Sequence, residues 1–90
     1  MDALTLFGSV LANMINKPIL ASKGILRFAI KDYHESVKHE KMEFEDWIII
    51  FSDFLAPRLE RFKISNSKDI CIELKKVLEK NKSILVVGRV

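Results

Sequence analysis

Large apolar side chains recur at helical spacing along most of the chain, and they are densest between Glu43 and Phe62. This stretch holds the only tryptophan, four of the six phenylalanines and three successive isoleucines. One broad stripe at helical spacing is formed by Phe44, Trp47, Ile48, Phe51, Phe54, Leu55, Leu59 and Phe62. Because burial of each such side chain contributes roughly 1.5–3 kcal/mol, we expect this helix to be the centre of the core.

Two features complicate this stripe. Ile49 and Ile50 lie off it, so they predict a second apolar surface on the same helix. Pro57 lies within it and removes one backbone hydrogen bond, so the helix either kinks there or ends there. We favour a kink, because the stripe continues in phase beyond the proline. If the helix ended instead, residues 61–65 would be free to form a strand.

The pattern predicts three further helices, one on either side of a proline near the N-terminus and one after a polar turn. Together with the central stripe, the predicted helices span residues 2–16, 18–38, 43–62 and 67–81. Asp2 is a suitable N-cap for the first helix. Asn66, followed by Asp69, resembles a capping box for the last, and Asn81 suits its C-terminus.

Small residues line one side of the first predicted helix, opposite its apolar line. Gly8 and Ala12 are four residues apart, a spacing that permits another helix to approach closely. An exposed face of small residues explains them equally simply, and it is the interpretation we favour from the sequence.

The C-terminal residues differ from the rest, because Ile84, Leu85, Val86 and Val87 form an uninterrupted β-prone run. The predicted fold is therefore mainly α: a four-helix orthogonal or bundle-like domain with a short extended C-terminal segment. The alternative is an α+β fold with a small β-α-β unit at residues 61–90. In the first case the C-terminal run has no partner strand in the chain, and such a strand tends to recruit another chain.

Length and charge narrow the class of protein. Ninety residues predict a single domain over residues 1–90, and 49% hydrophobic content is high for a soluble domain, which favours association. The net charge is +3, but residues 43–66 carry three basic against five acidic side chains while both flanks are basic. With one cysteine and no membrane-length apolar run, we expect a cytoplasmic protein that does not enter a membrane.

The sequence gives little support to catalysis or metal binding. His34 and His39 are five residues apart, a spacing that separates them on a helix, and Cys71 flanks a core stripe where cysteine usually acts as a small hydrophobe. The three glycines are too far apart to form a phosphate-binding loop. We therefore expect neither enzymatic activity nor a cofactor or metal.

The function that these patterns favour is a small regulatory or interaction domain that acts by self-association, as a homodimer, or by docking a protein partner. The predicted interface consists of Ile49, Ile50, Ile84, Leu85, Val86 and Val87. The alternative is a nucleic-acid-binding regulator whose basic last helix contacts phosphates through Lys75, Lys76, Lys80 and Lys82.

Overall fold

The computed structural model describes residues 2–82, and all regular elements in that range are helical. In chain order they are α1 (Ala3–Ile15), α2 (Ile19–Tyr33), a 3-10 turn (His39–Lys41), α3 (Phe44–Ile49), a π-helical turn (Ile50–Phe54), α4 (Leu55–Arg61) and α5 (Ser67–Lys80). The segments α3, π turn and α4 follow one another without a break and are called the central helix below. The prediction of a mainly α fold with four helices is therefore confirmed.

No strand forms within residues 2–82. The chain leaves α4 through a turn after Arg61, so residues 61–65 do not supply the first strand of the alternative β-α-β unit. The run of residues 84–87, which was predicted to be extended, lies outside the described range.

The central helix passes through Pro57 without ending, as its continuous apolar stripe predicted. Its irregularity lies one turn earlier, where the N–H of Leu55 donates to the carbonyl of Ile50, an i to i−5 hydrogen bond. Four residues of an α-helix overshoot one full turn by about 40°. A π turn contains an extra residue, which compensates this drift. The turn therefore keeps Trp47, Phe51 and Leu59 on one buried side of the helix.

The prediction that Ile50 faces outward together with Ile49 is wrong. Ile50 begins the π turn and is fully buried, whereas Ile49 remains 36% exposed. The sequence-based helical projection assumed α geometry throughout, and the wider turn makes that projection fail at this position. The central helix is consequently buried over a broader arc than its apolar stripe indicated.

The core is one cluster to which all four helices contribute. The rings of Phe7, Trp47 and Phe51 lie at its centre, with centroids 4.9–5.7 Å apart. The remaining buried apolar members are Leu4, Leu11, Ile25, Leu26, Ala29, Ile30, Met42, Ile50, Leu55, Leu59, Ile70, Cys71, Leu74 and Leu78. Centroid separations of this size are favourable for aromatic pairs, so the three rings tie α1 to the central helix.

The small residues of α1 are buried rather than exposed, which corrects our favoured interpretation. Gly8 and Ala12 face inward, and α2 packs closely against α1 there. A Cβ atom at Gly8 would lie 2.5 Å from the Cγ atom of Lys23. The close-approach alternative was the right one, because only a residue without a side chain leaves room for Lys23.

The observed ends of the helices agree only in part with the ends predicted from the sequence. Asp2 caps α1 as predicted, since its carboxylate accepts a hydrogen bond of 2.7 Å from the N–H of Thr5. The second helix ends at Tyr33 rather than at residue 38. Tyr33 donates a hydrogen bond of 2.7 Å to Asp46 and packs edge-on against Phe54, so the chain turns there to place α3 beside α2.

The capping box is found at a different helix from the one predicted. Asn66 adopts a left-handed backbone conformation and makes no side-chain cap, although α5 does begin directly after it at Ser67. The reciprocal pattern occurs instead at the start of α3, where Asp46 accepts from the N–H of Glu43 at 2.8 Å. The local motif is similar at the two sites, and the backbone conformation of the first residue distinguishes them.

Candidate interaction face

Two exposed aromatic rings meet on the surface formed by α2 and the end of α4. Phe28 and Phe62 are each 45% exposed, and their ring centroids lie 6.2 Å apart at an interplanar angle of 33°. The position of Phe62 corrects the sequence analysis, which placed it in the core stripe. In the sequence, Leu26, Ile30 and Tyr33 share one side of the second helix, and Phe28 lies away from that apolar line. We call this surface, with the hollows beside it, the aromatic face.

Phe62 is exposed because α4 ends immediately before it. The chain reverses through a Schellman motif, in which the N–H of Ile64 donates to Leu59 at 3.0 Å and the N–H of Lys63 donates to Glu60 at 2.9 Å. Lys63 takes the left-handed conformation that this motif requires, with φ of 58°. The reversal brings Ile64 back toward the core and leaves the ring of Phe62 outside.

An apolar hollow of about 300 Å³ lies beside the two rings, both of which line it. Its lining residues are Lys17, Ala21, Gly24, Ile25, Phe28 and Phe62. Gly24 widens it, since a Cβ atom at this position would have no neighbour within 4 Å. A second hollow of about 320 Å³ has a mostly polar lining and shares Lys17 and Phe62 as walls with the first. The aromatic face is thus a groove that combines an apolar and a polar hollow, which meet at Phe62.

Arg58 fixes one edge of this groove. Its Nε and Nη2 atoms donate to the two carboxylate oxygens of Asp32 at 2.6 and 2.8 Å, which links α4 to α2. The same guanidinium lies 5.0 Å from the centroid of the Phe28 ring. The hydrogen bond from Arg58 lowers the pKa of Asp32 and raises that of the arginine, so both stay charged near neutral pH.

The edges of the groove are predominantly cationic. The two hollows and the adjoining cleft at Pro57 are lined by four cations, Lys17, Arg58, Arg61 and Lys63, and by a single carboxylate, that of Asp32. Asp32 is ion-paired with Arg58, and within the described residues Lys17, Arg61 and Lys63 form no ion pair. An incoming group therefore meets an apolar floor with unneutralised positive charge around it.

Four of the six residues of the interface predicted from the sequence, Ile84, Leu85, Val86 and Val87, lie outside the described residues, so that interface stays a prediction. Of the other two, Ile50 is buried, and Ile49 is exposed but does not line the aromatic face.

The lysines predicted to contact nucleic acid lie on more than one side of α5. At about 100° per residue, Lys76 and Lys80 lie about 40° apart, whereas Lys75 lies about 100° from Lys76 and about 140° from Lys80. Lys76 pairs with Glu73 at 3.3 Å, and the Nζ atom of Lys82 lies 4.7 Å from the Phe44 ring centroid. Two of the four are thus engaged within the chain.

The residues considered for chemistry are separated from one another. Burial raises the pKa of the Cys71 thiol, which is 6% exposed. His39 contacts Glu40 at 3.2 Å, and His34 accepts a hydrogen bond from the N–H of Ser36. Among residues 2–82, no three His, Cys, Asp or Glu side chains are grouped closely enough to hold a metal ion.

Within the described range, no single helix is long and apolar enough to cross a membrane. The pair α1 and α2 reaches that length and composition only when both are counted together, and a bend of 114° separates them.

Sequence reasoning missed the aromatic face for identifiable reasons. Phe28 gave one signal, since it is a large aromatic side chain set apart from the apolar line of its helix. Phe62 gave none, because its spacing fits the stripe and only the helix end at Arg61 takes its ring out of the core.

No protein-family model, curated protein or solved structure matches this chain.

Proposed function

We propose that this chain is a small protein-interaction domain that docks a partner protein on the aromatic face. The observation that carries the proposal is the pair of rings, Phe28 and Phe62, which stand about half exposed over an apolar hollow with cationic edges. Aromatic side chains and arginine are the residue types that supply most of the energy at protein interfaces. A fixed guanidinium beside one ring also pre-organises the surface.

A partner other than a second copy fits this face better. In a two-fold symmetric dimer the same surface meets itself. The cations of this surface, Lys17, Arg58, Arg61 and Lys63, outnumber its one lining carboxylate, that of Asp32, so two copies would bring net positive charge together. Juxtaposed like charges oppose association. Self-association, the first expectation from the sequence, therefore has less support at this face than docking of a different chain.

The alternative function, nucleic-acid binding by the last helix, also has weaker support. Of the four lysines that it requires, Lys76 is paired with Glu73 and Lys82 lies over the Phe44 ring. Phosphate contacts depend on several cations facing one backbone. We therefore propose a binding role directed at protein, with no catalytic step.

Selection from a displayed library of random peptides tests this function. Binders enriched on the wild-type chain should lose at least about tenfold in affinity on the Phe28→Ala and Phe62→Ala variants. The matched control is Ile72→Ala, which removes an equally exposed apolar side chain, 49% exposed, from α5. Circular dichroism establishes that each variant is folded. A selection that yields no binders, or binders indifferent to both phenylalanines, would refute the proposed function.

A further inference from the structure

We infer that the occupant of the aromatic face is an acidic amphipathic helix, in which one apolar side packs on the two rings and enters the apolar hollow beside them, while flanking carboxylates meet the cationic edges. This inference rests on the proposed function and specifies the chemistry of the partner. It follows from the shape of the groove, from its charge and from the state of its aromatic rings.

The shape suits side chains projecting from a helix. Phe62 lines both hollows, and the lining of the first, of about 300 Å³, is apolar, so two anchors about one helical turn apart would cover the ring and fill that hollow. The floor of the first hollow, formed by Ala21, Gly24 and Ile25, offers apolar contact. Helix-in-groove recognition uses such anchors at i, i+3, i+4 and i+7.

The charge around the groove selects the flanking residues of the partner. Lys17 lies between the two hollows, Lys63 lines the second, and Arg61 lies at the neighbouring cleft with Arg58. Asp32, the single carboxylate lining these three cavities, is already held by two hydrogen bonds from Arg58. Glutamate or aspartate beside the apolar anchors therefore gains attraction, whereas lysine there would be repelled.

The rings themselves favour a peptide over single-stranded nucleic acid. Stacking of bases needs an open aromatic face. One side of the Phe28 ring is already occupied, because the guanidinium of Arg58 lies 5.0 Å from its centroid and Phe62 packs beside it. A nucleic acid would share the attraction to the cations, but its polar base edges would meet the apolar floor of the first hollow.

The experiment uses three fluorescent peptides of about 18 residues, long enough for five helical turns. The first carries leucine at i, i+3, i+4 and i+7 with glutamate on both flanks. The second replaces every glutamate with lysine, and the third has the composition of the first in scrambled order. Fluorescence anisotropy against the full chain gives the three affinities, with a single-stranded oligothymidine as a fourth probe.

The inference predicts that the acidic peptide binds at least about tenfold more tightly than the other two at low salt. This difference in affinity should shrink as the salt concentration rises, because salt screens the cations at the edges of the groove. Phe62→Ala should weaken acidic-peptide binding about tenfold or more, while Ile72→Ala leaves it unchanged. The charge reversal K17E/K63E should move the preference toward the lysine peptide without removing either ring.

Other outcomes would overturn the inference, and they separate it from the proposed function. Equal or tighter binding of the lysine peptide, or absence of binding by the acidic peptide at ~1 mM, would reject an acidic helix as the occupant. In that case, library binders that depend on Phe28 and Phe62 would still support the proposed function, which is docking of a protein. Oligothymidine binding that depends on the two rings assigns the face to nucleic acid. A dimer in light scattering that Phe62→Ala dissociates assigns it to a second copy.

Discussion

The two helical glycines in the described part of the chain should respond in opposite ways to the same substitution. Alanine is favoured over glycine in a helix by about 1 kcal/mol. At Gly24 the added Cβ meets nothing within 4 Å, so Gly24→Ala should realise this gain in full. At Gly8 the added Cβ lies 2.5 Å from the Cγ atom of Lys23. Forcing extra volume into a packed contact costs about 1–3 kcal/mol, so Gly8→Ala should leave stability unchanged or lower it by up to about 2 kcal/mol.

Thermal unfolding measures both effects, with Trp47 as the fluorescent probe because it is the only tryptophan and is fully buried. In a domain of this size, 1 kcal/mol shifts the Tm by about 4–8 °C. Gly24→Ala should therefore raise the Tm by that amount, and Gly8→Ala should not raise it.

A double-mutant cycle isolates the contact between Gly8 and Lys23. Lys23→Ala removes the Cγ atom, and it also removes the hydrogen bond of 3.3 Å that Nζ donates to Thr5. The stability of the Lys23→Ala single variant measures the effect of losing that hydrogen bond. In the Lys23→Ala background, Gly8→Ala should recover the stabilising effect of alanine, with a coupling free energy of about 1–3 kcal/mol. The same stabilisation by Gly8→Ala in both backgrounds would refute the steric argument.

Three further predictions concern a turn, an ion pair and a thiol. Lys63→Gly should stabilise the chain by about 1 kcal/mol, since glycine adopts the left-handed conformation without steric cost; Lys63→Ala keeps that cost, and an equal gain from alanine would contradict the explanation. Because Arg58 lowers the pKa of Asp32 in the folded state, the pair stabilises the fold above the unfolded pKa, and this contribution is lost as the pH falls below about 4. Asp32→Asn should therefore flatten the loss of stability on acidification in urea titrations, and Arg58→Ala, which removes the same ion pair, should flatten it as well. Cys71 should react with a disulfide reagent far more slowly in the folded chain than in urea, since it is buried and its pKa is raised; equal rates would show that the thiol is accessible.

Helix positions followed closely from the spacing of apolar residues, because that spacing reflects which side of each helix must leave water. The predicted start at residue 67 and the cap by Asp2 depended on local chemistry, and the passage of the central helix through Pro57 depended on its continuous apolar stripe; all three are found. The end of the second helix was placed five residues too late. Its true end at Tyr33 depends on contacts with Asp46 and Phe54, which are distant in sequence.

What the sequence determined by itself is the fold class and the centre of the core, since these depend on local spacing and residue type. What only the tertiary structure decided is which apolar residues remain outside the core. A π turn buries Ile50, a Schellman reversal exposes Phe62, and the packing of α2 against α4 brings Phe28 beside it. Each result depends on small departures from regular helix geometry or on contacts between distant segments. The periodic pattern of apolar residues contains no information on either such departures or such contacts, so the candidate interaction face could be found only in the folded chain.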